Sequence, residues 1–245
     1  MKNLSIYFFA LLTVLSLTKC DNYHHERGNG NIISEKRNIE DFKEIEIGGS
    51  YEVFLTKSEK PALTIVADEN LHQFINVDQH GDVLEIFSEA TLESEEGVKL
   101  YIDYVELMAV NTSGAAVIKS DNVISGDYLR LEMSGAGVID LDVDLKALKI
   151  NISGAGAVEL SGNVIEQNIQ MSGAGGLEAY DLISQRSKVD ISGVGGAAVT
   201  VKKRLEATVS GVGGISYRGN PEEVNSNVSG LGTIVEDEGE EDENI

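Results

Sequence analysis

The chain is poor in almost everything that announces chemistry. It has one cysteine, Cys20, so no internal disulfide can form. It has no tryptophan and two prolines. Its four histidines are His24 and His25, next to each other near the N-terminus, and His72 and His80, near a turn further on. No serine stands in a G-x-S-x-G elbow, and a Ser–His–Asp site would need a histidine brought in from afar. No glycine-rich segment follows a strand and opens a helix, which excludes a phosphate cradle of that kind. Basic residues are scarce: 19 Lys and Arg face 41 Asp and Glu, for a formal charge of −22. Such a chain repels nucleic acid and anionic lipid surfaces.

What the chain has is repetition. One tetrapeptide recurs seven times: SGAA at Ser113, SGAG at Ser134, Ser153 and Ser172, SGVG at Ser192 and Ser210, and SGLG at Ser229. The serines are 18 to 21 residues apart. A period of that length means one structural unit stacked on copies of itself. The residue just before each serine is apolar from Met133 to Val228, and so is the residue three before, from Leu131 to Ala207, until Ser226 breaks the pattern. Between them lie Glu132, Asn151, Gln170, Asp190, Thr208 and Asn227. This alternation predicts a strand with one buried face before every serine. A second short alternation follows the glycines, as in Ala157-Val158-Glu159-Leu160, which predicts at least two strands per coil joined at the S-G-x-G corner.

Glycine suits a corner because it reaches positive φ and lets backbones approach closely. The Ala, Val or Leu between the glycines reads as an inward plug. The fold class expected is all-β: a right-handed parallel β-helix, or solenoid, of about 19-residue coils. Ser134, Ser153, Ser172, Ser192, Ser210 and Ser229 would stack as a structural corner ladder. The L-x-x-L-x-L spacing of leucine-rich repeats is absent.

The first half is β-rich but less regular. Strands are expected at Phe42–Ile47, Tyr51–Thr56, Ala62–Ala67, Val83–Phe87 and Val98–Tyr104, with a helical turn from Asp68 to Ile75. The preferred arrangement is a set of irregular first coils that cap the N-terminal edge; the alternative is a small separate β-sandwich.

At the N-terminus, Lys2 precedes an apolar run from Leu4 to Leu17, the layout of a secretory signal over residues 1–19. Cys20 then resembles the lipidated cysteine of a bacterial lipobox. Leu17 and Thr18 fit that pattern and Lys19 departs from it. Residues 20–35 read as a flexible tether, 36–235 as the β-helical domain, and 236–245 as a solvated acidic tail. That tail carries seven carboxylates between Glu236 and Glu243.

Candidate site residues are few. Asp140, Glu159 and Glu178 form an outward acidic row, the best candidate for a cation stripe such as one for Ca²⁺; no other cofactor is indicated. Tyr101, Tyr104, Tyr128, Tyr180 and Tyr217 fit no single ladder. Polysaccharide lyases share the β-helical architecture but use clustered carboxylates and a basic residue, and basic residues here are scattered.

Four features together resemble one family: R-N-I-E-D-F-K-E-I-E-I-G-G at Arg37–Gly49, A-D-E-N at Ala67–Asn70, the serial S-G-[AV]-G corners, and Y-R-G-N-P at Tyr217–Pro221. The chain resembles the auto-transporter adhesin head, or GIN, domain over residues 36 to 236. The resemblance implies a β-helical fold and an exported protein or lipoprotein of a Gram-negative envelope. It supplies no catalytic residues. The function expected is a non-catalytic binding or adhesion scaffold, held to the membrane by a lipid anchor and facing a glycan or protein partner of the envelope. The alternatives are a polysaccharide-active enzyme and a structural assembly protein.

Overall fold

A computed structural model of the chain describes residues 24–238. Seventeen strands form one continuous sheet that winds into a β-solenoid of about 19-residue coils. In the regular part each coil is one long strand: Ala136–Ile152, Ala155–Met171, Ala174–Ile191 and Val194–Val209. Only a Ser-Gly dipeptide separates one from the next, so the two strands per coil expected from the sequence are a single bent one. Coils pair in parallel and in register, with Ala136 on Ala155 and Ile152 on Met171. A second bend falls where pairing skips one position per coil, at Asp127, Lys146 and Ile165.

The alternation read from the sequence sets the core. Leu131, Ile150, Ile169, Val189 and Ala207 stack inward, as do Met133, Ile152, Met171, Ile191 and Val209, all buried. Ile139, Val158, Leu177, Ala197 and Ile215 continue the core past the corner. Each buried Leu or Ile side chain contributes about 1.5–3 kcal/mol.

At the corner the structure corrects the sequence reading. Inward–outward alternation runs through S-G-x-G without a break, and it is the glycines that occupy the inward positions. The intervening residue faces out: Val194 is 59% exposed, Val212 48% and Leu231 79%. The reason is space between coils. A Cβ built on Gly173 would lie 1.9 Å from the carbonyl oxygen of Gly154 in the preceding coil, and Gly154 stands in the same relation to Gly135. At Gly137 the backbone also takes φ +153°, which disfavours a side chain. This close approach lets the corners zip together. The Ser172 and Gly173 N–H groups both donate to Ile152 O, and Ala174 N–H donates to Gly154 O.

An eighth corner precedes the seven. Gly48-Gly49-Ser50 joins strands Glu44–Gly48 and Ser50–Lys57. Its Gly49 carbonyl accepts from Ala115 N–H just as later corners accept from the coil that follows. This first coil lies between two others. On one side are Ala109–Thr112 and Ala115–Ser120; on the other are Val83–Phe87 and Lys99–Tyr104. The chain therefore builds one coil, leaves to build the cap beneath it, and returns 65 positions on, where Ala109 pairs with Glu44. The cap ends in antiparallel strands Asn76–His80, Ala62–Asp68 and Ile32–Arg37. The first half is thus part of the same sheet, and not a separate sandwich. Observed strands match expectation to within two residues, and Glu69–Phe74 is the expected helical turn, in 3-10 form.

Residues 24–35, expected as part of a free tether, are instead paired. His25–Arg27 lies beside Thr91–Glu93, and Ile32–Arg37 pairs with Ala62–Asp68. Between them the Gly28–Asn31 turn is pinned by the buried Asp68, whose Oδ1 accepts from Gly30 N–H at 2.6 Å. Asn70 adds a bond in each direction, accepting from Asn29 N–H and donating to Arg27 O. The nearby Ser94 hydroxyl and then the Gly30 N–H hold the Asp68 carboxyl below the usual range, against the opposing effect of burial. The signal segment, Cys20 and the tail beyond Glu238 lie outside the described residues.

The C-terminal end is open. The last coil comprises Glu223–Val228 and Leu231–Glu236. It is clasped from within by Arg218. That guanidinium lies 3.8 Å from the Tyr180 ring centroid and donates twice to Asp237 Oδ2, at 3.0 and 2.6 Å.

A polar seam, an apolar groove and an acidic row

Stacking in register turns each outward position into a row along the solenoid axis, with neighbours one strand spacing, about 4.8 Å, apart. The residues two before the corner form the longest polar row: Glu85, Glu46, Asn111, Glu132, Asn151, Gln170, Asp190, Thr208 and Asn227. Beside it run the corner serines, all exposed. Together they border two grooves of about 450 and 360 Å³ that share Asn151 and Ser153, so one seam runs from Glu46 to Ser192. From Glu46 through Asn111 and Glu132 to Asn151, carboxylate and amide alternate. Asn151 Nδ2 donates to Glu132 Oε1 at 3.2 Å, and Asn111 Nδ2 to Glu46 Oε1 at 3.5 Å. The Oδ1 atoms of Asn111 and Asn151 are buried and have no donor among the described residues. The carboxylates, amides and hydroxyls that line the seam suit a ligand rich in O–H or N–H groups.

The serine ladder is structural as well as exposed. Ser134 Oγ donates to Thr112 O at 3.3 Å and Ser192 Oγ to Met171 O at 3.5 Å, the same carbonyls that accept from the backbone at the corner. None of the six predicted ladder serines meets a histidine among the described residues. His25 and His72 face Glu93 and Glu35, at 3.2 Å each, in the cap region.

Beyond the corner lies an apolar groove of about 520 Å³. Its floor is Gly176, Gly196 and Gly214, flanked by Val138, Ala157 and Thr233. These glycines differ from those of the corner. A Cβ on Gly176 would come no closer than 4.0 Å to another atom, and on Gly196 no closer than 3.4 Å. The fold does not require glycine at these two positions, whereas a Cβ on Gly214 would press on Thr233 at 3.2 Å; the glycines keep the groove open. Sequence reasoning missed this floor, although the doubled glycine of SGAGG and SGVGG was its signal.

Asp140, Glu159 and Glu178 are adjacent in register and exposed, as the row reading required. Their side chains do not converge. Among the described residues, no group of three His, Cys, Asp or Glu side chains comes together to hold a metal ion. The row also ends quickly, with Lys119 before it and Ala198 after it. The tyrosines are dispersed: Tyr101 stacks on Phe54 with centroids 4.9 Å apart, Tyr104 is buried, and Tyr180 lies under Arg218. No described helix is long and apolar enough to cross a membrane.

A β-solenoid whose corners are glycine zips belongs to the class of repeat solenoids. More narrowly, the chain belongs to the family described as "Putative auto-transporter adhesin, head GIN domain", whose profile matches residues 41–221. Solved structures of similar fold include a "putative adhesin" from Bacteroides fragilis, with TM-score 0.83 and 24% identity, covering 86% of this chain and 100% of that one. A "putative adhesin" from Parabacteroides merdae has TM-score 0.64 and 25% identity over 88% and 100% of the two chains. A "putative lipid binding protein" from Parabacteroides distasonis has TM-score 0.67 and 22% identity over 86% and 99%. No curated protein matches the chain.

Proposed function

We propose that this chain is an exported envelope protein, lipidated at Cys20, whose solenoid is a non-catalytic binding or adhesion scaffold. The observation that carries the reading is the polar seam. An unbroken in-register row spreads contact over many coils, and its carboxylates and amides, beside the exposed corner serines, offer polar partners to a hydroxyl-rich ligand such as a surface glycan. The signal-like N-terminus, the position of Cys20 and the family's name support export. Binding of the exported chain to a glycan array is the test. Replacing Asn151, Gln170 and Asp190 together by alanine is expected to weaken a selective hit at least about tenfold. Equal binding by both proteins, or no selective hit, would overturn the seam reading. Cys20→Ser is expected to move the protein from the membrane fraction to the soluble one.

A second reading rests on the apolar groove. Its largely apolar lining, with Glu159 and Glu178 among the residues that border it, suits an acyl chain, in keeping with the name of the Parabacteroides distasonis relative. Gly196→Leu would fill the groove, and is expected to abolish uptake of a fluorescent fatty acid while leaving glycan binding intact.

A further inference from the structure

The two ends of the solenoid are finished differently. At the N-terminal end, antiparallel strands close the stack. At the other end, Glu223–Val228 pairs only with residues 204–209, and Leu231–Glu236 only with residues 212–217, among the described residues. Among the described residues the outer backbone edge of both has no neighbour. The inward side chains of this coil are uncovered too: Val224 and Val228 are 39% and 43% exposed, whereas Leu205 and Val209 in the coil beneath are at 0%. Natural sheets blunt such edges with lysine, proline or a bulge. These two strands contain neither residue, and their pairing registers are unbroken.

Charge selects what can cover the edge. Glu222, Glu223, Glu236, Asp237 and Glu238 surround it, and the sequence continues with Glu240, Glu241, Asp242 and Glu243. Arg204 faces Glu223 and Arg218 binds Asp237. Glu222, Glu236 and Glu238 make no ion pair among the described residues. A second copy docking end to end would bring its own carboxylates against these and be repelled.

We propose that the open C-terminal coil is a strand-acceptor site for a cationic partner: an extended segment alternating apolar residues with Lys or Arg. Backbone hydrogen bonds to the free edge would supply affinity, as in other β-strand additions. The apolar residues would cover Val224 and Val228, and the cations would meet Glu222, Glu236 and Glu238. This surface is separate from the polar seam, so either idea can fail alone.

The test uses the full chain and three synthetic ten-residue peptides: one alternating Val with Lys, one alternating Val with Glu, and a Lys/Ser control. Fluorescence anisotropy gives affinity, and amide hydrogen exchange gives location. The Val/Lys peptide is expected to bind, to slow exchange within residues 223–236, and to bind at least about tenfold more weakly to Val228→Lys and to the double variant Glu236→Lys/Glu238→Lys. The other two peptides are expected not to bind. Should Val228→Lys loosen the last coil, the double variant, which alters exposed side chains only, still decides. Unchanged affinity in the double variant would overturn the proposal. So would protection outside residues 223–236, no binding of the Val/Lys peptide, or dimerisation that protects 223–236 without peptide.

Discussion

Two glycines three residues apart, Gly173 and Gly176, should respond oppositely to the same substitution. A methyl group on Gly173 would sit 1.9 Å from Gly154 O. Ordinary contact begins near 3.4 Å, so neighbouring coils would have to part locally by about 1.5 Å. Three backbone bonds cross that gap, from Ser172 N–H and Gly173 N–H to Ile152 O and from Ala174 N–H to Gly154 O. Losing two of them costs about 2 kcal/mol, and the remaining overpacking about 1–3 kcal/mol. Gly173→Ala is therefore expected to destabilise by about 3–5 kcal/mol. Gly176→Ala meets its first atom at 4.0 Å and takes no positive φ, so the restriction of the unfolded chain prevails and stability should rise by about 0.4–1 kcal/mol. Urea unfolding followed by far-UV circular dichroism separates them. With a slope of about 3 kcal/mol/M, the gap is on the order of 1.3 M between midpoints. Midpoints within about 0.3 M of each other would refute the claim that inter-coil contact dictates the corner glycines.

Alkaline titration should expose the buried phenols. Burial pushes Tyr104 up to about 12, and Tyr51 is also raised by burial. Both are protonated in either state below pH 10, so the stability they protect is fully present there. It is lost as pH rises from 10, where the unfolded chain ionises, to about 12, by roughly 2–3 kcal/mol for Tyr104 alone. A 295 nm titration in which all described tyrosines ionise together near pH 10 would contradict this. In the core, Gln167 is 4% exposed with Oε1 unpartnered, while Nε2 donates to Ser184 Oγ at 3.3 Å. Ser184 keeps its own bond to Thr200 O at 2.8 Å, so Gln167→Leu is expected to raise stability by about 1 kcal/mol. A loss of that size on calorimetry would show that a partner for Oε1 was overlooked.

The repeat and its rows were legible because alternation of period two survives stacking unchanged. Leu131, Ile150 and Ile169 face in and Glu132, Asn151 and Gln170 face out, as the string alone implies. The corner was not legible in the same way. Hydropathy points Val194 and Leu231 inward, and glycine carries no hydropathy signal; only the absence of room for a Cβ shows which residue lies inside. The first corner at Gly48–Ser50 escaped because it keeps the glycine but not the motif. The pairing of Glu44 with Ala109 leaves no local trace at all. For the candidate site, adjacency of Asp140, Glu159 and Glu178 followed from spacing. Whether the three carboxylates converge depends on side-chain direction on a flat face, which spacing does not encode.

The excursion between the Gly48–Ser50 corner and the Ser113 corner bears on how the chain acquires its structure. A regular coil closes a loop of about 19 residues, whereas the first coil meets one neighbour 39 positions on, at Val83, and the other 65 positions on, at Ala109. Loop-closure entropy grows only logarithmically, so the longer wait costs about 1 kcal/mol more. That is small at equilibrium but decisive for order of events. Local pairings form fastest. The glycine-cornered coils are therefore expected to close before the first coil completes its pairing on the Ala109 side.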